Sequence, residues 1–129
     1  MATQDRSEIG MERMIEVMGP EAKNILKSFE KISPDFTKHL KEFVWGELYQ
    51  RRSSIDDKTR LVACFAALMG QGNTDIVIRR YIRTMLSVGW ERNEIIEIII
   101  LMIAYVGFPT ATETLYIAQE IFSEIDKEK

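Results

Sequence analysis

Glu94-Ile-Ile-Glu97-Ile-Ile-Ile-Leu101-Met-Ile-Ala-Tyr105-Val-Gly-Phe108 is the stretch on which the fold turns. It is apolar around nearly its whole circumference, so it cannot lie on a surface with one wet face. From Glu97 to Phe108 it is too short for a bilayer span, which takes about 20 residues. Its isoleucines invite a strand reading, but the run is long for a strand. Glu94 and Glu97 stand one helical turn apart, and Leu101, Met102 and Ala104 lie inside it. The stretch reads as a central helix packed on several sides, in part by helices of other subunits.

The bulk numbers bound the rest. A chain of 129 residues is one domain. With 46% apolar and 29% charged residues it is expected to be globular rather than disordered. A net charge of −3, without a basic stripe, gives no reason to expect nucleic acid. Cys64 is the single cysteine, so no disulfide within the chain can form and a reducing cytoplasm is expected. Asp5, Arg6 and Glu8 occupy the region where a signal peptide would be apolar. Neither a membrane segment nor a secretory signal is expected.

Working outward, the remaining segments read as helices. Met11, Met14, Ile15 and Met18 form one apolar stripe, ended by Gly19-Pro20. Ala22, Ile25, Leu26, Phe29 and Ile32 form the next, and Ser33-Pro34 caps a third helix. There Phe36, Leu40, Phe43, Val44 and Leu48 are expected on one stripe, with His39 at its edge and Trp45 projecting elsewhere, towards a neighbouring subunit. Gln50 to Ser54 reads as a polar loop, with Asp56 as a cap for the next helix. That fourth helix, Arg60 to Met69, is apolar nearly all round, and Gly70 and Gly72 close it. Thr74 to Val88 carries Ile78, Tyr81, Ile82, Met85 and Leu86 on one side and Arg79, Arg80 and Arg83 on another, ending at Gly89. Glu91 and Glu94 have the spacing of a capping box at the start of the central helix. After Gly107-Phe108-Pro109, a last helix shows Ala111, Leu115, Ala118, Ile121, Phe122 and Ile125. No stretch alternates with period two, so the fold class is all-α, with about six to seven helices. Two helices apolar all round need more cover than five short amphipathic helices supply, which points to a closed homo-oligomer.

From Phe43 to Phe122 the order of signals resembles the carboxymuconolactone decarboxylase family, part of the alkylhydroperoxidase D-like superfamily. The matching pieces are Phe43-Val-Trp-Gly-Glu-Leu-Tyr49, Ile55-Asp-Asp-Lys-Thr-Arg60, Ile82-Arg83, and Glu94-Ile-Ile-Glu97 leading to Ala104-Tyr-Val-Gly-Phe-Pro-Thr-Ala111. The resemblance implies a single domain over 1–129, with N-terminal helices at 1–34 and the family-like core at 35–126. It also implies an all-helical fold assembled as a ring, commonly a hexamer built from dimers.

Departures from the family pattern are equally specific. The Cys-x-x-Cys of alkylhydroperoxidase-like members is replaced by Leu68-Met-Gly-Gln-Gly-Asn73, and Cys64 has no cysteine three residues away. Dithiol chemistry within one chain is therefore not available. The glutamate that usually follows Thr-Arg is Leu61, and the histidine that precedes Ile-Arg in decarboxylase-type members is Tyr81. The family's proton-relay residues are not carried over.

Other groups remain as candidates. His39 is the only histidine, the side-chain type suited to proton transfer near neutrality, but it lies outside the signature and reads as a structural or surface histidine. Glu97, among isoleucines, is expected either to have a raised pKa or to pair with Arg60 or Arg83. Tyr105 lies two turns further along the same face, with Leu101 between. Arg79 and Arg83, one turn apart, can grip a carboxylate in forked geometry, or be solvated helix charges or intersubunit pairs to glutamates. Tyr81 can donate a hydrogen bond to an oxyanion. One function class is a decarboxylase without metal or organic cofactor, acting on a small carboxylated lactone or organic acid. Glu97, Tyr81 and Tyr105 would be its catalytic groups, and Arg83, Arg79 and Arg60 would hold the substrate. The other is a divergent binding or assembly module of the same fold. A thiol peroxidase is disfavoured by the missing second cysteine.

Overall fold

Local capping chemistry sets the boundaries of the elements. A computed structural model describes residues 5–52, 54–72 and 74–129. Among these it has seven α-helices and no strand: α1 (Arg6–Met18), α2 (Glu21–Ile32), α3 (Pro34–His39), α4 (Asp57–Gln71), α5 (Asp75–Ser87), α6 (Arg92–Val106) and α7 (Phe108–Glu128). A π-helical turn, Leu40–Trp45, continues α3 directly, and a 3₁₀ turn follows at Leu48–Gln50. Ser33 caps α3 by accepting a hydrogen bond from the Phe36 N–H at 3.1 Å, with Pro34 in the first turn. Both arms of the capping box at Glu91 and Glu94 are formed, so α6 begins where that spacing says it should. At Gly107, φ of 89° ends α6 and turns the chain into α7. No helix is long and apolar enough to cross a membrane among the described residues.

The chain divides into two compact units, Met1–Asp56 and Asp57–Lys129. In the first, α1 packs chiefly on the π-helical turn. The contact is so close that a Cβ on Gly10 would collide with the Lys41 carbonyl. The buried side of α1 is Gly10, Arg13, Met14 and Val17 rather than the methionine stripe; Met11, Ile15 and Met18 are half-buried. Arg13 is tolerated inside because its Nε donates to the Tyr49 carbonyl at 2.7 Å and its Nη1 lies 3.4 Å from Glu16 Oε1.

The largest departure from the periodicity reading falls in the helix after Ser33. A π turn holds more residues per turn than an α turn, so every side chain beyond Leu40 is rotated off the stripe that a 3.6-residue period predicts. Trp45 is therefore buried, stacked on buried Tyr49 with ring centroids 4.0 Å apart, and does not project outward. Phe43 and Leu48 are exposed instead; Phe36, ahead of the π turn, and Ile32 at the end of α2 are exposed as well.

In the second unit, α4 presents Leu61, Phe65 and Met69 inward at i, i+4 and i+8. It continues through Gly70, which lies inside the helix, to Gln71. From α5 come Ile78, Ile82 and Met85, and from α7 Ala111, Ile117, Ala118 and Ile121. α6 contributes Ile95 and Ile99, and pairs chiefly with α7.

Candidate functional site

The phase of α6 decides which of its groups are available for chemistry. Ile95 and Ile99 mark its inward side. Each residue advances about 100° around a helix, so Glu97 stands about 200° from Ile95, on the far side. Glu97 is exposed there, sharing that side with Ile100, Leu101, Ala104 and Tyr105. Within the chain the expected pairing of Glu97 with Arg60 or Arg83 does not occur. Neither Glu97 nor Tyr105 makes a hydrogen bond or ion pair among the described residues. The two do lie on one row with Leu101 between them, as the spacing predicts. Eight residues of helix separate their Cα atoms by about 12 Å.

The arginines are engaged elsewhere. Arg79 Nη2 lies 2.7 Å from Glu120 Oε2. Arg83 Nη2 donates to Glu124 at 2.9 Å and to Glu128 at 3.1 Å. The Glu128 hydrogen bond is the main reason that the Arg83 pKa is raised. Arg60, at the start of α4 and largely covered, has Nη1 3.5 Å from Asp57 Oδ1. Arg92 donates to both oxygens of Asp126, at 2.7 and 3.2 Å, and its guanidinium carbon lies 5.1 Å from the centroid of the Phe122 ring. That forked contact holds the Asp126 carboxyl below its ordinary pKa. Tyr81 is half-buried on α5, and His39 is exposed at the end of α3. The structure thus brings together two sets of candidates, arginines of α5 matched to α7 carboxylates and Glu97 with Tyr105 on the outer face of α6, while Arg60 and Tyr81 join neither.

Between α6 and α7 runs an open groove of about 460 Å³. Ile96, Leu115, Tyr116, Ala118 and Phe122 form its apolar lining, and Gln119, Ser123 and Asp126 are polar groups along it. Sequence reasoning missed this groove and the α7 counter-ions. The ions had a legible signal: Glu120, Glu124 and Glu128 repeat every four residues, the same spacing that separates Arg79 from Arg83. No group of three or more His, Cys, Asp or Glu that could hold a metal occurs among the described residues.

The model of the carboxymuconolactone decarboxylase family matches residues 34–120. The chain belongs to this family. It is 27% identical over 126 residues to the 4-carboxymuconolactone decarboxylase of Acinetobacter baylyi, covering 97% of this chain and 92% of that protein. It is 31% identical over 104 residues to an uncharacterized 15.0 kDa protein in the nqo9-nqo10 intergenic region of Paracoccus denitrificans, covering 80% and 77% of the two chains. Against the pattern of the carboxymuconolactone decarboxylase family, Leu61 stands at the place of the usual glutamate and Met69 within the region that carries the paired cysteines elsewhere. Both are fully buried. That side of α4 packs as apolar core and offers no proton carrier.

Proposed function

We propose that this chain is a cofactor-free decarboxylase of the carboxymuconolactone type, working as a homo-oligomer on a small carboxylated lactone. The observation that carries this reading is the similarity to the 4-carboxymuconolactone decarboxylase over nearly the full length of both chains. Two features support it: Glu97 has no cation or donor among the described residues, and it lies on a face whose other exposed residues include Ile100, Leu101 and Tyr105. In the reaction the carbon–carbon bond to the departing carboxylate breaks and CO2 leaves. The electron pair then delocalises into an enolate on the lactone carbonyl, and a proton is delivered to carbon. Glu97 is suited to carry that proton, and a tyrosine hydroxyl, Tyr81 or Tyr105, to donate to the enolate oxygen. A substrate carboxylate would compete with α7 glutamates for Arg83 or Arg79, or bind at Arg60 in the first turn of α4. The exposed pairs cost little to open, since such ion pairs contribute about 0–1 kcal/mol.

A second reading, a non-catalytic assembly module, is favoured by the packing of Leu61 and Met69 where the family's reactive groups stand. Incubation with 4-carboxymuconolactone separates the two. The decarboxylase reading expects CO2 release that falls by at least about 100-fold in Glu97→Gln, the size typical of a lost general acid or base. Absence of turnover across a panel of carboxylated lactones contradicts it.

A further inference from the structure

The outer face of α6 carries its own complement. Its row of Glu97, Leu101 and Tyr105 is symmetric about Leu101: an acceptor on one side, an apolar residue in the middle, a donor on the other. Tyr105 is 76% exposed and Leu101 61%, with Ile100 beside them at 51%. When two copies of such a helix pair antiparallel about a two-fold axis at Leu101, residues whose numbers sum to 202 face each other. Leu101 then meets its own copy, and each Glu97 meets a Tyr105.

We infer that α6 packs against α6 of a second copy in this register, with Glu97 accepting a hydrogen bond from the partner subunit's Tyr105 in two symmetric places. This inference rests on the self-association in the proposed reading and specifies how that association is built. The occupant is another copy because an isologous contact must be self-complementary, which this row is. The register follows from the cost of burying a carboxylate without a donor. An axis midway between Ile100 and Leu101 sets Glu97 against the partner subunit's Ala104, which has no side-chain donor. An axis at Ile95 would offer the amide of the partner subunit's Asn93, but Ile95 is fully buried in its own unit and cannot face a partner. Centring on Leu101 gives Glu97 a donor and covers the apolar residues together. It also makes the pair a composite feature, since Glu97 and Tyr105 of one chain are about 12 Å apart along the helix.

Disulfide trapping in a Cys64→Ser background reads the register. Helices packed at about 8–10 Å bring facing Cα atoms to roughly 4–5 Å, close to the reach of a disulfide. Under mild oxidation Leu101→Cys is expected to form a covalent dimer. Glu97→Cys mixed with Tyr105→Cys should cross-link, while neither does so alone. Ile76→Cys, an exposed position on α5, serves as the control. Tyr105→Phe should weaken association by about tenfold or more, the effect of stranding a buried acceptor, and Glu97→Gln added to it should cost little further. Light scattering on the same samples tests association by itself. An oligomer without the Leu101 cross-link, or with equal cross-linking at Ile76, overturns the register and leaves self-association standing. A 15.0 kDa particle overturns both.

Discussion

The N-terminal unit and the α6–α7 hairpin handle misplaced polarity in opposite ways. Around α1 a charged side chain is inside: Arg13 is buried, and the Tyr49 carbonyl and Glu16 satisfy it. On α6 apolar side chains are outside: Leu101 and Tyr105 face solvent beside Glu97. The buried charge of Arg13 is answered within its own unit, where Tyr49 and Glu16 lie. The outer side of α6 leaves apolar side chains in water within one chain, and it is this face that the proposed self-association would cover. The comparison shows that composition alone does not tell core from contact surface; the phase of each helix does.

The sharpest way to break the contrast lies in the π-helical turn. Trp45→Ala should lower stability by about 3–5 kcal/mol, as for other buried aromatic truncations, whereas Phe43→Ala should cost less than about 0.5 kcal/mol. Urea melts of the two variants read this directly, and the opposite order would mean that the segment runs as an ordinary α-helix. Gly10→Ala comes next. Its added methyl meets the Lys41 carbonyl, so about 1–3 kcal/mol should be lost unless α1 withdraws. Leu101→Ala should leave intrinsic folding within about 0.5 kcal/mol when measured in dilute solution. It should, however, reduce the dependence of the melting temperature on protein concentration, the signature of a folded state stabilised by association.

The smallest effect is electrostatic. Asp126 has a folded pKa below its unfolded value of about 3.9, because Arg92 hydrogen-bonds its charged form. Its contribution is present above that unfolded value and is lost as pH falls through the folded pKa. Acid titration of Asp126→Asn should therefore show a shallower loss of stability below about pH 4 than the parent chain. Parallel curves would mean that the Arg92 contact does not persist in solution.

Much of this architecture was legible in the residues. Glu91 and Glu94 placed the start of α6, Ser33-Pro34 the start of α3, and the glycines at 89 and 107 the ends of α5 and α6. The family motifs from Phe43 to Ala111 were legible as well. What escapes is rotation: nothing in Leu40 to Trp45 announces a wider turn, so a 3.6-residue period puts the stripe through Phe43 inward and Trp45 outward. Arg13 was hidden for a related reason, since its acceptor, the Tyr49 carbonyl, lies 36 residues away and no local pattern records it. At the candidate site the shared row of Glu97, Leu101 and Tyr105 was readable from spacing. The partners of Arg79 and Arg83 were not recognised, because an exposed acidic repeat reads equally well as a solvated face.

The mass of the purified chain in solution tests the central claim most directly. Light scattering over a range of concentrations should give a multiple of 15.0 kDa that falls on introducing Leu101→Arg while the helical signal is retained. A parent chain that stays at 15.0 kDa throughout, with its α6 face in water, would contradict the account.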